Sequence, residues 1–308
     1  MHYKMFENFQ EINLSKWFYP KGELASGAWE VQVNDSTPNW KYTGLKVGDF
    51  TRQPSFEIPA DKWERAILPL EGESITVEFE GAETGSIALR GRQSVFHGPA
   101  DFLFLPRATQ ARITGSGRFA VAEALAKSDK SVQLTKKEDV SVLIRGVAGA
   151  TRQIHDYGGV DFLDASAMVV VEVNVPSGNH SGIPPHRHDR YLAGVESNLE
   201  EIYYFEMSVN RFLPKPTQSD PVGFFRVYAS DERPIDLTLE IRSGDVALVP
   251  YGYHGPASAI PPYDMYFMNV MAGPDPDRSW NIVDDPNHAF FRSSWDSLKP
   301  DDRLPYRA

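Results

Sequence analysis

Cysteine is absent from the 308-residue chain. Disulfide frameworks, thiolate metal sites and cysteine nucleophiles are excluded together, and any metal must be held by nitrogen and oxygen ligands. A basic excess is missing too. The formal net charge of −11 argues against general affinity for nucleic acid or anionic membranes, while leaving room for a locally basic pocket that takes an acidic small molecule. No apolar run approaches the length of a membrane span, and Met1 to Lys16 is polar and charged without the apolar segment of a leader. A soluble, cytoplasmic protein is the expectation. Long amphipathic helical patterns are scarce as well.

What the chain does contain is short runs of two-residue alternation, punctuated by Pro and Gly along almost its whole length, the pattern of sandwiches and barrels. Ile75, Val77 and Phe79 alternate with polar neighbours, and 101–106 and 111–114 continue the pattern. The second half opens on the apolar run Met168 to Val175, continues through 201–205, and has 237–241 and 246–249 on either side of a Ser243-Gly244-Asp245 turn. An all-β protein of two barrels is predicted. Its boundary is placed near Gly149, in the Gly- and Ala-rich stretch 145–152, giving units 1–149 and 150–308. The turn, strand and proline of 98–106 echo those of 243–250, as duplication of one barrel would produce.

His186 and His188 are two apart after Gly182-Ile-Pro-Pro185. In an extended segment, side chains at i and i+2 share a face, so both imidazoles can turn into one barrel interior. A carboxylate from Glu200 or Glu201, at the start of the strand that follows, can close on the same point. Glu201 is the favoured ligand, because its inward companions would be Tyr203, Phe205 and Met207, whereas an inward Glu200 would bring Glu206 into the barrel with it. His254 follows the corner made by Pro250 and Gly252 and can reach in from the strand opposite. The four together suit one divalent ion, Zn, Mn or Fe with Ni also possible, with positions left for substrate oxygens. His97, His155, His180 and His288 fall outside this pattern and are read as structural, surface or supporting residues.

The stretches Gly182 to His188 and Gly244 to His254 resemble the two motifs of the cupins. They depart from the general pattern in the twelve residues between His188 and Glu201 and in a histidine one residue early after Gly252. With 91–96, 199–205, 249–254, 269–274 and 284–289, these departures resemble one family through nearly the whole chain: the 5-deoxy-glucuronate isomerases of myo-inositol catabolism, and more distantly the 5-keto-4-deoxyuronate isomerases. The resemblance implies a bicupin whose C-terminal barrel binds metal and whose N-terminal barrel has lost the ligands. It also implies an aldose-ketose isomerase converting 5-deoxy-glucuronate to 5-dehydro-2-deoxy-gluconate.

Such a reaction moves a hydrogen between adjacent carbons and needs a metal with two open cis positions and a base near the substrate carbon. Glu200, if it is not the metal ligand, is a candidate base, and Tyr203 and Tyr253 are candidate hydrogen-bond donors to sugar oxygens. A carboxylate substrate calls for an arginine, with Arg145, Arg152, Arg226 and Arg187 near the motifs; Arg187 is discounted because it lies between two inward histidines. The partner is then a small sugar acid, not nucleic acid or membrane, and pairing through exposed strands makes a homo-oligomer an expectation. The competing readings are an Fe(II) cupin dioxygenase and a non-catalytic sugar-binding bicupin.

Overall fold

The computed structural model describes residues 17–230 and 233–306. Regular structure among them is strand, joined by two short 3-10 turns at Ala148–Ala150 and Ala289–Ser294. No helix among the described residues is long and apolar enough to cross a membrane.

Period-two patterning sets which way each strand faces. In Phe102–Leu105 and Arg118–Leu125, the residues Phe102, Phe104, Ala120, Ala122 and Ala124 join a large core shared with the second half. Their neighbours Leu103, Leu105, Phe119 and Val121 point the other way, into a core with Phe56, Ile75 and Ile113. One face of the sheet therefore fills the N-terminal barrel, and the other forms the seam between the halves.

The halves share a strand order. In the first, Phe102–Leu105, Trp63–Glu80, Arg118–Leu125 and Thr43–Asp49 lie side by side; in the second, Val246–Val249, Glu200–Val209, Tyr263–Ala272 and Val169–Val175 do. All these neighbours are antiparallel, and in both halves the order runs third, second, fourth, first along the chain. The two segments of the sequence echo occupy the same place in the two sheets.

Edge strands tie the halves together. Phe18–Tyr19, near the amino terminus, pairs with the C-terminal sheet through Phe18↔Ala247 and Tyr19↔Val246. The chain leaves the first sheet after Gln133–Thr135 and enters the second at Ser141–Arg145, which pairs with Arg152–Asp156. This crossover precedes Gly149, because the Gly- and Ala-rich stretch read as a linker is the turn of that hairpin.

Two glutamates are exchanged across the seam. Glu64 accepts from the backbone N–H groups of Ser166, Ala167 and Met168 at 2.7–2.9 Å and from the Ser166 hydroxyl at 2.7 Å. Glu200 accepts from the N–H groups of Tyr42 and Thr43 at 2.5 and 2.6 Å, from Lys41 N–H at 3.2 Å, and from the Thr43 hydroxyl at 3.0 Å. Each barrel thus caps the lead-in of a strand in the other. Arg92 adds a buried ion pair with Glu172, which also accepts from the Tyr266 hydroxyl at 2.7 Å and lies 3.1 Å from His155 Nδ1.

The interiors of the barrels differ. The N-terminal one is filled with rings, Phe56 lying 5.1 Å from Phe119 and 4.5 Å from Trp29 between centroids. Among the described residues, the one histidine-containing group with metal-ligand proximity lies in the C-terminal barrel.

Candidate metal centre

Three strands and one loop bring the site together. His186, in His186–Arg187, pairs directly with His254 of Tyr253–Ser258. His188 follows two residues on, on the same face. Glu201 comes from the facing sheet, where Glu200–Val209 is held on both sides through Glu201↔Val249 and Glu201↔Met271. Gly182 and Gly255 let the loop before His186 cross the strand of His254: a Cβ on Gly255, whose φ is +107°, would lie 2.2 Å from the Gly182 carbonyl oxygen. Only glycine permits that approach.

One ligand atom from each of His186, His188 and His254 lies within 4.8 Å of the others, so the three imidazoles could hold a metal ion. Glu201 Oε2 stands 3.0 Å from His188 Nε2 and 3.2 Å from His254 Nε2. His188 Nδ1 is 3.1 Å from the Leu199 carbonyl, to which it donates, leaving the lone pair of Nε2 aimed at the cluster; this is how ligand imidazoles are usually oriented. His254 Nε2 is buried and, despite its nearness to Glu201, has no aligned hydrogen-bond partner among the described residues. A buried nitrogen left in this state, beside a carboxylate and two more imidazoles, fits a nitrogen and oxygen coordinated divalent cation.

The electrostatics suit the same occupant. Burial drives the His186 imidazolium pKa well below its ordinary value, and His254 and His188 beside it push in the same direction. Burial would raise the Glu201 carboxyl, but the His188 and His254 imidazoles beside it hold it down at about 2. Burial would lower the His188 pKa, but Glu201 raises it, so a cation competes with a proton for this nitrogen and oxygen ligand set.

Tyr203, two residues beyond Glu201, shares its face; burial and the Glu201 charge raise its phenol well above the ordinary value. Its ring lies in a layer with Phe225 and Phe267, at centroid distances of 4.5 and 5.1 Å. Two residues assigned to the site from sequence are not brought to it. Glu200 lies on the other face of the strand with its carboxylate on the Lys41–Thr43 amides, so it is corrected from candidate base to seam residue. Tyr253 faces away from its neighbour His254 and stacks with Tyr228 and the Arg187 guanidinium, at 5.6 and 5.3 Å. Strand alternation turns both away.

Above the cluster a cleft of about 520 Å³ opens, with Arg145, Arg152, His186, Trp280, Arg292 and Trp295 in its walls. Its inner end is lined by Glu201, Tyr203 and Asn269. Asn269 pairs across from Tyr203, and its side-chain amide donates to the Ile202 carbonyl at 3.5 Å. Asn269 and Trp280 were not singled out from sequence, because nothing local marks an asparagine or tryptophan on a distant strand or loop as sharing a cavity with the His-x-His segment. Arg226, among the expected arginines, is on a different cleft and pairs with Asp236. His155 is fully buried in the seam, and His180 is 2.9 Å from the Ser258 hydroxyl.

Comparison with known proteins bears on the family and the fold. Residues 17–291 match the profile of the KduI/IolB family. The chain is 34% identical over 274 residues to a 5-deoxy-glucuronate isomerase of Lacticaseibacillus casei, covering 87% of this chain and 95% of that one. It is 32% identical over 269 residues to that of Geobacillus thermodenitrificans, covering 86% and 91%. The structure of an IolB-like protein from Salmonella typhimurium superposes with a TM-score of 0.78 at 29% identity, over 90% of this chain and 99% of that one. An oxalate decarboxylase from Lactobacillus farciminis, 10% identical, superposes with a TM-score of 0.58 over 87% and 88%, which extends the likeness of fold to a second two-barrel cupin. With a bicupin fold, a profile match over nearly its whole length and relatives aligned almost end to end, the chain belongs to the KduI/IolB family of isomerases.

Proposed function

We propose that this protein is a divalent-metal-dependent aldose-ketose isomerase that converts 5-deoxy-glucuronate to 5-dehydro-2-deoxy-gluconate in myo-inositol degradation. The observation that carries the reading is the convergence of His186, His188, His254 and Glu201 at the inner end of a cleft, in a chain whose curated relatives are named for that substrate. The ligand set suits Zn, Mn or Fe, with Ni also compatible. When bound, such an ion acidifies the hydrogen next to a carbonyl and stabilises the negative charge that develops on oxygen.

The chain's own groups divide the remaining work. The Leu199 carbonyl fixes the His188 ring, and His254 and His186 hold their paired positions across the sheet. Tyr203 presents its phenol to the inner end of the cleft, beside Glu201 and Asn269. Phe225 and Phe267 close the inner end against water, which strengthens every polar contact inside. The substrate's own hydrogen moves from its second carbon to its first, so the product is an isomer and no oxidant is consumed.

The test is to incubate the purified protein with 5-deoxy-glucuronate without oxygen, before and after chelation, and to follow the keto product by NMR. Conversion that chelation abolishes and added metal restores is the expected result. A folded, metal-loaded sample that converts nothing overturns the substrate assignment, and turnover only in oxygen points to a dioxygenase.

A further inference from the structure

Three buried donors without an acceptor among the described residues, Arg152 Nε, Trp280 Nε1 and Trp295 Nε1, belong to residues that line the cleft above the histidines. Buried donors are rarely left unpaired, and three around one cavity mark the place of a ligand rich in acceptors. The cleft is cationic as well. Arg152 begins the strand Arg152–Asp156, whose alternate residues Arg152, Ile154 and Asp156 face the cleft, and it pairs across the hairpin with Arg145. Its side chain makes one long bond, 3.4 Å, to the Ala150 carbonyl. Arg292 enters from the 3-10 turn and is already paired with Asp284 at 2.7 and 2.8 Å. Asp156, on the same wall, is engaged with the Gly159 N–H at 2.6 Å. Burial, then Arg292 and Arg145, lower the Arg152 pKa to about 10, as expected of a buried guanidinium facing two others.

Arg152 and Trp280 line the inner end of the cleft with Glu201 and Tyr203, and the outer part with Arg145 and Trp295, so they stand where the two meet. We propose that Arg152, backed by Arg145 and Arg292, receives the carboxylate of the sugar acid, while the Trp280 and Trp295 indole N–H groups donate to its oxygens and to the nearest hydroxyl, on the fourth carbon. The aldehyde end of the molecule is thereby directed at the histidines. The assignment rests on the isomerase reading for the identity of the acid, but the carboxylate site itself does not. A planar guanidinium suits a carboxylate, and a lysine at this position would offer charge without the fork.

The test compares D-glucuronate with D-glucose, which differ in carboxylate against hydroxymethyl at one end, by calorimetric titration into the metal-loaded protein. The wild type is expected to favour glucuronate by about 10- to 100-fold, the range of a charge-assisted hydrogen bond. R152Q removes that preference, R152K restores part of it, and W280F weakens glucuronate binding about 3-fold. Because R152Q changes a buried position, R145Q at an exposed one provides a second reading, with a loss of about 3-fold in preference. In turnover of 5-deoxy-glucuronate, R152Q raises KM by about 10- to 100-fold with kcat within about 5-fold of wild type, the pattern of lost ground-state binding. A wild type without preference, or preference unchanged in both R152Q and R145Q, overturns the proposal. Arginine-dependent preference in a protein that does not turn over 5-deoxy-glucuronate leaves the carboxylate site in place and removes only the substrate assignment.

Discussion

Glu200 and Glu201 are the same residue type at adjacent positions, and the strand turns them to opposite tasks. Glu201 is 2% exposed and faces two imidazoles, whereas Glu200 lies against amides of the other barrel. Substituting each by glutamine should separate the tasks. E201Q is expected to lose bound metal and turnover together while the protein stays folded, as metal analysis of the purified variant would show. E200Q places an NH₂ group among donors and should lower stability by about 1–3 kcal/mol, with metal content and kcat per folded molecule unchanged. Equal loss of metal in the two variants would contradict this division. The pair also marks a limit of reading the sequence. An acidic doublet at a strand entrance looks the same whichever member turns inward, and the decisive partner of Glu200 lies about 160 positions away in the other barrel.

At the scale of strands, the site depends on loops that cross without side chains. Gly255 allows the strand of His254 to pass over Gly182, and the histidine pair at 186 and 188 follows from that crossing. G255A forces a Cβ against a carbonyl in a backbone conformation that alanine rarely adopts. It should lower Tm by several degrees and weaken metal affinity more than a cavity-forming substitution elsewhere in the barrel, such as V173A; chelator competition would measure the difference. The period-two segments were legible from sequence for a physical reason: alternation in Phe102–Leu105 and Val246–Val249 is imposed by the strand itself. The His-x-His pair and the Pro-Gly corner before His254 were legible because their geometry is local. Arg152 was one of four arginines near the motifs, and only the hairpin pairing with Arg145 places it in the cleft, whereas Trp280 and Asn269 reach it from a distant loop and strand that local spacing does not mark.

Across the whole molecule, the seam is built from charges as well as hydrocarbon. Burial would raise the Glu172 carboxyl, but Arg92, with His155, holds it at about 2, below the ordinary value of 4.5. A folded-state pKa below the unfolded one means that the contribution is complete above about pH 4.5 and is lost as pH falls through 2. Denaturant unfolding should therefore show stability falling across that window by on the order of 3 kcal/mol from this group, and E172Q should flatten that part of the profile. At neutral pH the same variant leaves Arg92 buried and unpaired and should be less stable by about 3–5 kcal/mol. A variant with the wild-type acid slope would show that Glu172 is not the titrating group.

The reciprocal capping by Glu64 and Glu200 has a consequence for how two such halves can diverge. The N-terminal interior, packed with rings such as Phe56 and Phe119, takes no part in these contacts, so a substitution there stays within its own half. The outer faces differ, since each half's strand entrances are completed by the other's glutamate. A change on the back of one barrel therefore reaches the frame on which the other is built.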